Sequence, residues 1–439
     1  MRYLLVAYDF PPVPSPQALR WSYLTRELAE LGNEVHVLAP DIDGYGPGGE
    51  LVPMPGVTVH RCDAGLFTGY LVRKRRARRT AVAAVAGAAQ GPCSPSVPAR
   101  AAGPEGLNWK GRLFERANKI ASMIYFPDLR GEWVRPARRA LDRLLDELQP
   151  DVVISSHEPA VSIPLGLHAK RRGFKWICDL GDPVLAPYTP SRWRRHAFRL
   201  ERRLCQRADL VTTTTEAALQ TLSSRHGITP NRMLLLTQGF DHRIRDDRRM
   251  PPLEFDTGKL ELVYTGSFYA FRDPSQLLAA VAAVPGVRLT VATIMPPPAL
   301  VDAARQAPES VRLAGFLSHG QSLSLQRHCD MLVNIANDDP IQIPGKLYEY
   351  LGSPVRILSI GDAPDSASGR LLSELDAGWL VPNTAADIVA LLERQLQEKR
   401  SKGSVARREQ SAVDGRYSWH ALAGSLHRHC ALISSGELA

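Results

Sequence analysis

The 439-residue chain lacks the long apolar segments of membrane proteins and the paired cysteines of disulfide-rich or zinc proteins. None of its segments reaches the roughly 18 apolar residues that a membrane-spanning helix needs. The apolar run in MRYLLVAYDFPP at the N-terminus is too short for a signal peptide, and no cleavage site follows it. The six cysteines are scattered, with no CxxC pair, which fits a reducing compartment. We therefore expect a cytoplasmic protein.

Several ligand-binding motifs are also missing. No GxGxxG sequence follows the first predicted strand, and GYGPGG at 44–49 opens no apolar helix, which argues against a dinucleotide-binding dehydrogenase. The chain lacks basic residues interleaved with aromatic residues along a strand, so we expect no nucleic-acid partner. No carboxylate pair with metal-like spacing follows a strand in the second half of the chain, so we expect no metal.

Positive charge is in excess in this sequence. The net charge is +9, and the densest basic block is RKRRARR at 73–79. A basic surface indicates an anionic partner, such as a nucleic acid, an anionic membrane or a phosphorylated ligand. A solvated arginine-rich surface without any partner explains the same counts equally well.

Short apolar runs alternate with helical segments along the chain, which is the pattern of a doubly wound parallel sheet. The predicted strands of the first half are 3–8, 34–39, 57–62, 151–156, 175–180, 209–214 and 232–237. The predicted strands of the second half are 260–266, 287–293, 311–315, 330–336, 355–360 and 379–382. Two such halves face each other across a cleft, which is the default ligand site.

The domain boundaries follow from changes in composition. We predict a first domain over 1–240, a polar and proline-containing linker over 241–259 and a second domain over 260–415. Residues 416–439 are predicted to form a C-terminal helix. Within the first domain, 66–107 is basic and rich in alanine, which predicts a mobile insertion that is partly helical.

Two segments follow predicted strands, where sheets of this type bind their ligands. His157 and Glu158 lie in SSHEP at the end of one strand, and a structural role for this histidine stays as open as a functional one. In YTGSFYAFRDP, Gly266 lets a ligand approach the backbone closely. Arg272 comes just before the next helix, where an anion also meets helix N-terminal amides.

The segment DDPIQIPGKLYEYLG at 338–352 places Lys346 and Glu349 on one face of a short helix that Pro344 opens. Lys346 and the free backbone N–H groups of the first turn suit a diphosphate, and Glu349 suits the vicinal hydroxyls of a ribose. A phosphate site beside a ribose site indicates a nucleotide. An ion pair between the two side chains on a solvated face is the alternative.

These segments resemble the retaining, nucleotide-sugar-dependent glycosyltransferases of family 4, which have the GT-B fold. PP…ALRW…LAELGNEVHVLAP is similar to the family's N-terminal signature, and ADLVTTTTEAALQTL and QGFD to its end-of-domain motifs. YTGSF and LAGFLSHGQSLSLQRHCDMLVNIA are similar to its donor-domain motifs. The resemblance covers nearly all the chain except about 66–107. It implies an α/β protein with two Rossmann-like doubly wound parallel-sheet domains, and a last helix that crosses back to the first domain.

The resemblance also implies roles for matching positions. His157 and Glu158 match the cleft histidine motif that contacts the transferred sugar, which makes them the catalytic candidates. Arg272 matches the basic residue that binds the donor diphosphate. Lys346 and Glu349 match a P-x-K-x-x-E-Y variant of the paired-glutamate motif, in which the second glutamate binds the ribose.

Other candidates complete the expected site. Gly266 and Ser267 would contact the donor diphosphate together with Arg272 and Lys346. Asp338 and Asp339 are candidates for the donor sugar. Ser15 and Arg20 are assigned to the loop on the acceptor side, in the first domain.

The chain departs from the family pattern at three places. Ile341 occupies the position, eight residues before Glu349, where the motif has its first glutamate. Ser15-Pro16 replaces a double glycine in the first loop, and Ser267 replaces a basic residue. These departures concern the donor sugar and the strength of diphosphate binding rather than the fold.

The expected activity is that of a metal-independent hexosyl- or other glycosyltransferase without a cofactor, which retains the anomeric configuration. It would move a sugar from a UDP- or GDP-linked donor to a hydroxyl acceptor, in the biosynthesis of a polysaccharide, glycolipid or other glycoconjugate. The basic block Arg73–Arg79 suggests peripheral docking on an anionic membrane that carries a lipid-linked acceptor. A non-catalytic GT-B partner subunit and a nucleotide-sugar epimerase of the same fold stay open as alternatives.

Overall fold

The structure is a computed structural model that describes most of the chain. The described residues are 1–43, 54–87, 126–187, 189–243, 251–269, 272–337, 342–409 and 415–437.

The first domain is built on a sheet of seven parallel strands in the order β3-β2-β1-β4-β5-β6-β7. The strands are β1 Arg2–Val6, β2 Glu34–Pro40, β3 Val57–Cys62, β4 Val152–Ser156, β5 Lys175–Leu180, β6 Leu210–Thr213 and β7 Met233–Leu235. The helices are α1 Pro16–Glu30, α2 Leu66–Gly87, α3 Val134–Leu148, α4 Ile163–Arg171, α5 Ser191–Arg207 and α6 Glu216–His226. Because helices cover both faces of the sheet, the central strands β1, β4 and β5 are buried along nearly their whole length and do not alternate between buried and exposed residues.

The second domain contains a sheet of six parallel strands in the order β10-β9-β8-β11-β12-β13. The strands are β8 Leu260–Thr265, β9 Val287–Ala292, β10 Val311–Gly315, β11 Met331–Ile335, β12 Arg356–Ile360 and β13 Gly378–Val381. The helices are α7 Ser275–Ala283, α8 Pro298–Gln306, α9 His319–His328, α10 Gly345–Leu351, α11 Ala367–Glu374 and α12 Ala385–Lys402. In both sheets the strand order reverses beside the first strand, β1 or β8, and ligands bind at such a switch point.

The last helix, α13 Trp419–Ser435, packs against α1 of the first domain. Its apolar side chains, among them Trp419 and Leu426, share one buried core with Trp21 and Leu28 of α1. The chain therefore passes between the domains twice, once near residue 240 and once just before α13. An isolated parallel bridge between Phe240 and Ser418 joins these two crossings.

The predicted fold class is confirmed: the chain forms two Rossmann-like parallel-sheet domains of the GT-B type. All thirteen predicted strands are present, and their ends differ from the prediction by two residues at most.

In the insertion predicted over 66–107, which was expected to be partly helical, residues 66–87 form the regular helix α2. The carboxylate of Glu132 accepts hydrogen bonds from the backbone N–H groups of Phe67 and Thr68 at 2.9 and 2.8 Å. This remote carboxylate caps the first turn of α2 and anchors it to the domain. The rest of the predicted insertion, 88–107, lies outside the described residues.

Candidate functional site

A cleft of about 510 Å³ separates the two domains. Its first-domain wall consists of the loop after β1 and the first two turns of α1. Its second-domain wall consists of the loop after β8, the start of α9 and the start of α10, and the crossing at 238–241 closes one end. The predicted site residues that line this cleft are Ser15, Arg20, Gly266, Ser267, Arg272, Lys346 and Glu349.

Lys346 occupies an unusual electrostatic environment at the start of α10. Its Nζ is inaccessible to solvent, although the residue as a whole is partly exposed, and it has no hydrogen-bond partner among the described residues. The ammonium group lies 3.5 Å from the centroid of the Tyr264 ring. Burial, with a smaller contribution from the charge of Arg272, holds the pKa of Lys346 well below its usual value. A buried cation without a polar partner is ready to bind an anion.

The loop after β8 brings the other diphosphate candidates to Lys346. Gly266 has a φ of 119°, and a Cβ at this position would lie 3.7 Å from Cδ of Lys346. The Cβ would be in ordinary contact with the lysine, but a side chain at this φ would strain the backbone, so the loop requires glycine here. Arg272 is buried, donating to Oδ1 of Asn337 at 2.7 Å and to the Ser267 carbonyl at 3.3 Å.

Glu349 lies one helical turn after Lys346, and its side chain is 20% exposed. Gln326 donates from Nε2 to Oε1 of Glu349 at 2.6 Å. Nδ1 of His319 lies 3.5 Å from Oε2 of Glu349. Lys346 and Glu349 do not form the alternative, a direct ion pair. The lysine lies over the Tyr264 ring, and the Glu349 carboxylate contacts Gln326 and His319 of α9.

On the first-domain wall, Ser15 is the N-cap of α1, accepting a hydrogen bond from the backbone N–H of Ala18 at 3.0 Å. The sequence places Arg20 in the acceptor-side loop, but the residue belongs to the helix, because α1 begins at Pro16. Its guanidinium is fully buried and pairs with Asp179 at 3.1 Å. Arg20 therefore fixes α1 against the sheet, and its charge is already paired where the residue borders the cleft.

The catalytic candidates His157 and Glu158 follow β4 but do not line the cleft. His157 is 7% exposed, and Nδ1 is buried without a partner among the described residues. Burial lowers the pKa of His157 to about 4, so the ring is neutral near pH 7. Glu158 is exposed as a residue, but its carboxyl group is packed near Gly181. This close packing and the carboxylate of Asp182 raise the pKa of Glu158 to about 7.

The donor-sugar candidates Asp338 and Asp339 lie outside the described residues, and so does Ile341. Their predicted roles stay predictions.

Sequence reasoning missed four residues that shape the second-domain wall: Tyr264, His319, Gln326 and Asn337. Each contacts a predicted ligand-binding side chain from a distant part of the chain. Gln326 and His319 both lie in LAGFLSHGQSLSLQRH, which the family resemblance already placed in the donor domain, so the motif was a usable signal.

Among the described residues, one group of side chains has metal-like spacing: atoms of Glu27, His242 and His420 lie within 4.8 Å of one another. Nitrogens of Arg26 and Arg243 contact Oε1 of Glu27 at 2.7 and 2.9 Å. None of the three is among the described residues that line the cleft. We interpret this group as an ion-pair network at the crossing between the domains.

The basic block lies on α2, and its described side chains are partly paired. Arg73 contacts Asp63 at 2.9 Å, and Arg76 contacts Asp41 and Asp43 at 2.8 and 2.9 Å. Among the helices of the described part of the chain, none combines the length and the apolar character needed to cross a bilayer.

Comparisons with solved structures find the same fold at low sequence identity. Sucrose-phosphate synthase from Thermosynechococcus elongatus has a TM-score of 0.64 and 14% identity, over 99% of this chain and 100% of that one. Anabaena HepE, solved in complex with UDP and glucose, has a TM-score of 0.57 and 12% identity, and the match covers 98% of this chain and 99% of that one. A putative UDP-N-acetylglucosamine 2-epimerase from Listeria monocytogenes has a TM-score of 0.53 and 11% identity, and the match covers 98% of this chain and 96% of that one.

These neighbours include a synthase and a putative epimerase, so they establish the fold and leave the reaction open. A comparison with curated proteins finds no significant match. The profile of the glycosyl transferase 4-like domain matches residues 17–239, which is just over half of the chain. With this match and the GT-B architecture, the chain belongs to the glycosyl transferase 4-like family.

Proposed function

We propose that the protein is a retaining, metal-independent glycosyltransferase that uses a nucleoside diphosphate sugar as donor and a hydroxyl group as acceptor. The observation that carries the proposal is the Lys346 ammonium group, which is buried at the cleft without a hydrogen-bond partner among the described residues. An unpaired cation at this depth costs stability, and a bound diphosphate would supply the missing partner.

The diphosphate would be bound by fixed positive groups in place of a metal ion. Lys346 and Arg272 provide the charge, and the backbone at Gly266 and Ser267 permits close approach of the phosphate oxygens. Such a preorganised set stabilises the negative charge that develops on the leaving diphosphate. Glu349, with its carboxylate at the cleft surface, would accept hydrogen bonds from the ribose hydroxyls.

Retention of configuration is supported by the acid–base groups of the cleft. Among its described lining residues the carboxylates are Asp241 and Glu349, and both are engaged, Asp241 with Arg26 at 3.0 Å. Among these described residues, no free carboxylate is therefore available to remove the acceptor proton. In the proposed step the bond between the anomeric carbon and the phosphate oxygen breaks. The acceptor oxygen bonds to the same face of that carbon, and its proton passes to the departing phosphate oxygen.

His157 and Glu158 would assist this reaction only indirectly, because neither lines the cleft. His157 is neutral near pH 7 and could contact the transferred sugar only after a local rearrangement. We retain its family-implied role as a hypothesis.

We further propose that α2 docks on an anionic membrane surface that carries the acceptor. Leu66 and Tyr70, which are 89% and 54% exposed, lie one turn apart and are followed by Arg73 and Lys74. An apolar stripe beside cations suits the interface of an anionic bilayer. If a Leu66→Ser/Tyr70→Ser variant binds phosphatidylglycerol vesicles as well as the unchanged protein does, this part of the proposal is wrong.

The main proposal is tested by a panel of nucleoside diphosphates and their sugars. We expect at least one uridine or guanosine diphosphate to raise the melting temperature, and Lys346→Ala and Glu349→Ala to reduce that shift. With a sugar donor and a hydroxyl acceptor, NMR of the product would show the donor's anomeric configuration. Nucleotide release that needs no acceptor, with an isomerised sugar, would point to an epimerase instead.

A further inference from the structure

A hydrogen bond crosses the cleft between the two domains. The hydroxyl group of Tyr23, on α1 of the first domain, lies 3.0 Å from Nε2 of His319. His319 is the first residue of α9 in the second domain. Separation of the two walls would therefore break this hydrogen bond.

The same histidine contacts the proposed ribose ligand. Nδ1 of His319 lies 3.5 Å from Oε2 of Glu349, and Gln326 donates to the other carboxylate oxygen at 2.6 Å. His319 and Gln326 are seven residues apart on α9, so they lie on the same face of that helix. One helix face thus positions the carboxylate and also reaches across the cleft.

The tautomer of His319 follows from its partners. The carboxylate of Glu349 can only accept hydrogen bonds, so the Nδ1 of His319 that faces it carries a proton, and the Tyr23 hydroxyl group donates to Nε2. A neutral imidazole that accepts at Nε2 carries its proton at Nδ1, facing Glu349. The three residues then form a directional chain from the first domain to the donor site.

Both ends of this chain are held rigidly. The Tyr23 ring stacks on Trp419 at an interplanar angle of 6°, with the Arg26 guanidinium 4.8 Å from its centroid. Ser318 caps α9 in a capping box with Gln321, which fixes the backbone at His319. Because both side chains are held by this packing, the length of the Tyr23–His319 hydrogen bond depends on the separation of the two cleft walls and not on motion of the side chains.

We propose that Tyr23 and His319 form a latch that couples nucleotide binding at Glu349 to closure of the cleft. His319 is a positioning residue here, and the inference rests on the proposed role of Glu349 as ribose ligand. A ribose bound to Glu349 stabilises the carboxylate orientation that His319 supports in the closed cleft. Because coupling is reciprocal, closure through Tyr23 also strengthens nucleotide binding.

The test removes the Tyr23 hydroxyl group, which is the atom that reaches across the cleft. Tyr23→Phe keeps the stacking on Trp419 and the contact with Arg26. We expect it to weaken the binding of UDP or GDP, measured by titration calorimetry, by about two- to tenfold, as for one lost hydrogen bond. His319→Gln should weaken binding as well, and the double variant should bind no more weakly than the weaker single variant, because both remove one coupled interaction.

The chain offers a matched control. Tyr3 and His427 form another tyrosine–histidine pair, with the hydroxyl group 2.7 Å from Nδ1 and the same interplanar angle of 64°. This pair lies between β1 and α13, away from the cleft. Tyr3→Phe should lower the melting temperature without changing nucleotide affinity.

The possible outcomes separate the two proposals. If the unchanged protein binds neither UDP nor GDP, the proposed function fails and the latch fails with it. If it binds one of them and Glu349→Ala weakens binding, but Tyr23→Phe binds equally well, only the latch is overturned. Additive effects of Tyr23→Phe and His319→Gln would also overturn it.

Discussion

Replacing Lys346 with methionine removes the ammonium group and keeps the length of the side chain. The structure predicts two opposite effects of this change. The free protein should become more stable, because Nζ is buried with no hydrogen-bond partner among the described residues. Nucleotide affinity should fall, because the same nitrogen is the proposed diphosphate ligand.

The magnitudes can be worked from the contacts of Lys346. A buried polar group without a partner costs about 1–3 kcal/mol. The cation–π contact with Tyr264, at 3.5 Å, offsets about 0.5–2 kcal/mol of this destabilisation. The net gain on substitution is then about 1 kcal/mol, which corresponds to a rise in melting temperature of about 2–4 °C for a domain of this size. Loss of a charge-assisted hydrogen bond of about 1.5–3 kcal/mol weakens nucleotide binding by roughly 10- to 150-fold.

Thermal unfolding and titration calorimetry with the nucleotide that binds the unchanged protein measure the two effects. Lys259→Met is a suitable control in the same domain, since Lys259 forms a surface ion pair with Glu309 at 2.8 Å. It should lower the melting temperature slightly or leave it unchanged, without affecting nucleotide binding. A Lys346→Met variant with a lower melting temperature and undiminished affinity would refute the reasoning.

Three further predictions concern the donor site and its surroundings. The pKa of Lys346 is lowered in the free protein and should rise beside a diphosphate, so binding should take up a proton at pH values between these two pKa values and should weaken as the pH rises through this range, below which the free lysine is already a cation. Calorimetry in two buffers of different ionisation enthalpy measures this uptake. Glu349 should make the protein prefer a ribonucleoside diphosphate to its 2′-deoxy analogue by about tenfold, and competition binding with Glu349→Ala should show no such preference. The pKa of His157 is about 4, below the usual 6.5, so between these pH values the unfolded chain binds more protons than the folded chain. Urea unfolding should therefore show that the free energy of unfolding falls by about 3 kcal/mol from pH 7 to pH 4. The decrease should be smaller in His157→Gln.

The strands were predictable because each is a short apolar run between turn residues, as expected for strands buried on both faces. The positions of Lys346 and Glu349 were predictable for a similar reason, since a helix that begins near Pro344 places both on one face. Their interaction with each other was not predictable. Tyr264 attracts the lysine, and α9 supplies the partners of the carboxylate from more than 20 residues away.

Tertiary contacts also decide features that the local sequence leaves open. The alanine-rich segment 66–87 favours a helix, and Glu132, about 65 residues further along the chain, caps its first turn, which the local sequence could not predict. His157 does follow a strand, as predicted, yet its ring is buried and does not line the cleft. Position at a strand end does not determine the direction of a side chain, and sequence alone could not exclude this outcome.

The central claim is that the cleft binds a nucleoside diphosphate between Lys346 and Glu349. The most direct measurement is a crystal structure of the protein with UDP or GDP, whichever raises the melting temperature more. We predict a phosphate oxygen about 2.7–3.1 Å from Nζ of Lys346 and the ribose hydroxyls within the same distance of the Glu349 carboxylate. A nucleotide bound elsewhere, or bound in the cleft with its phosphates away from Lys346, would contradict the account.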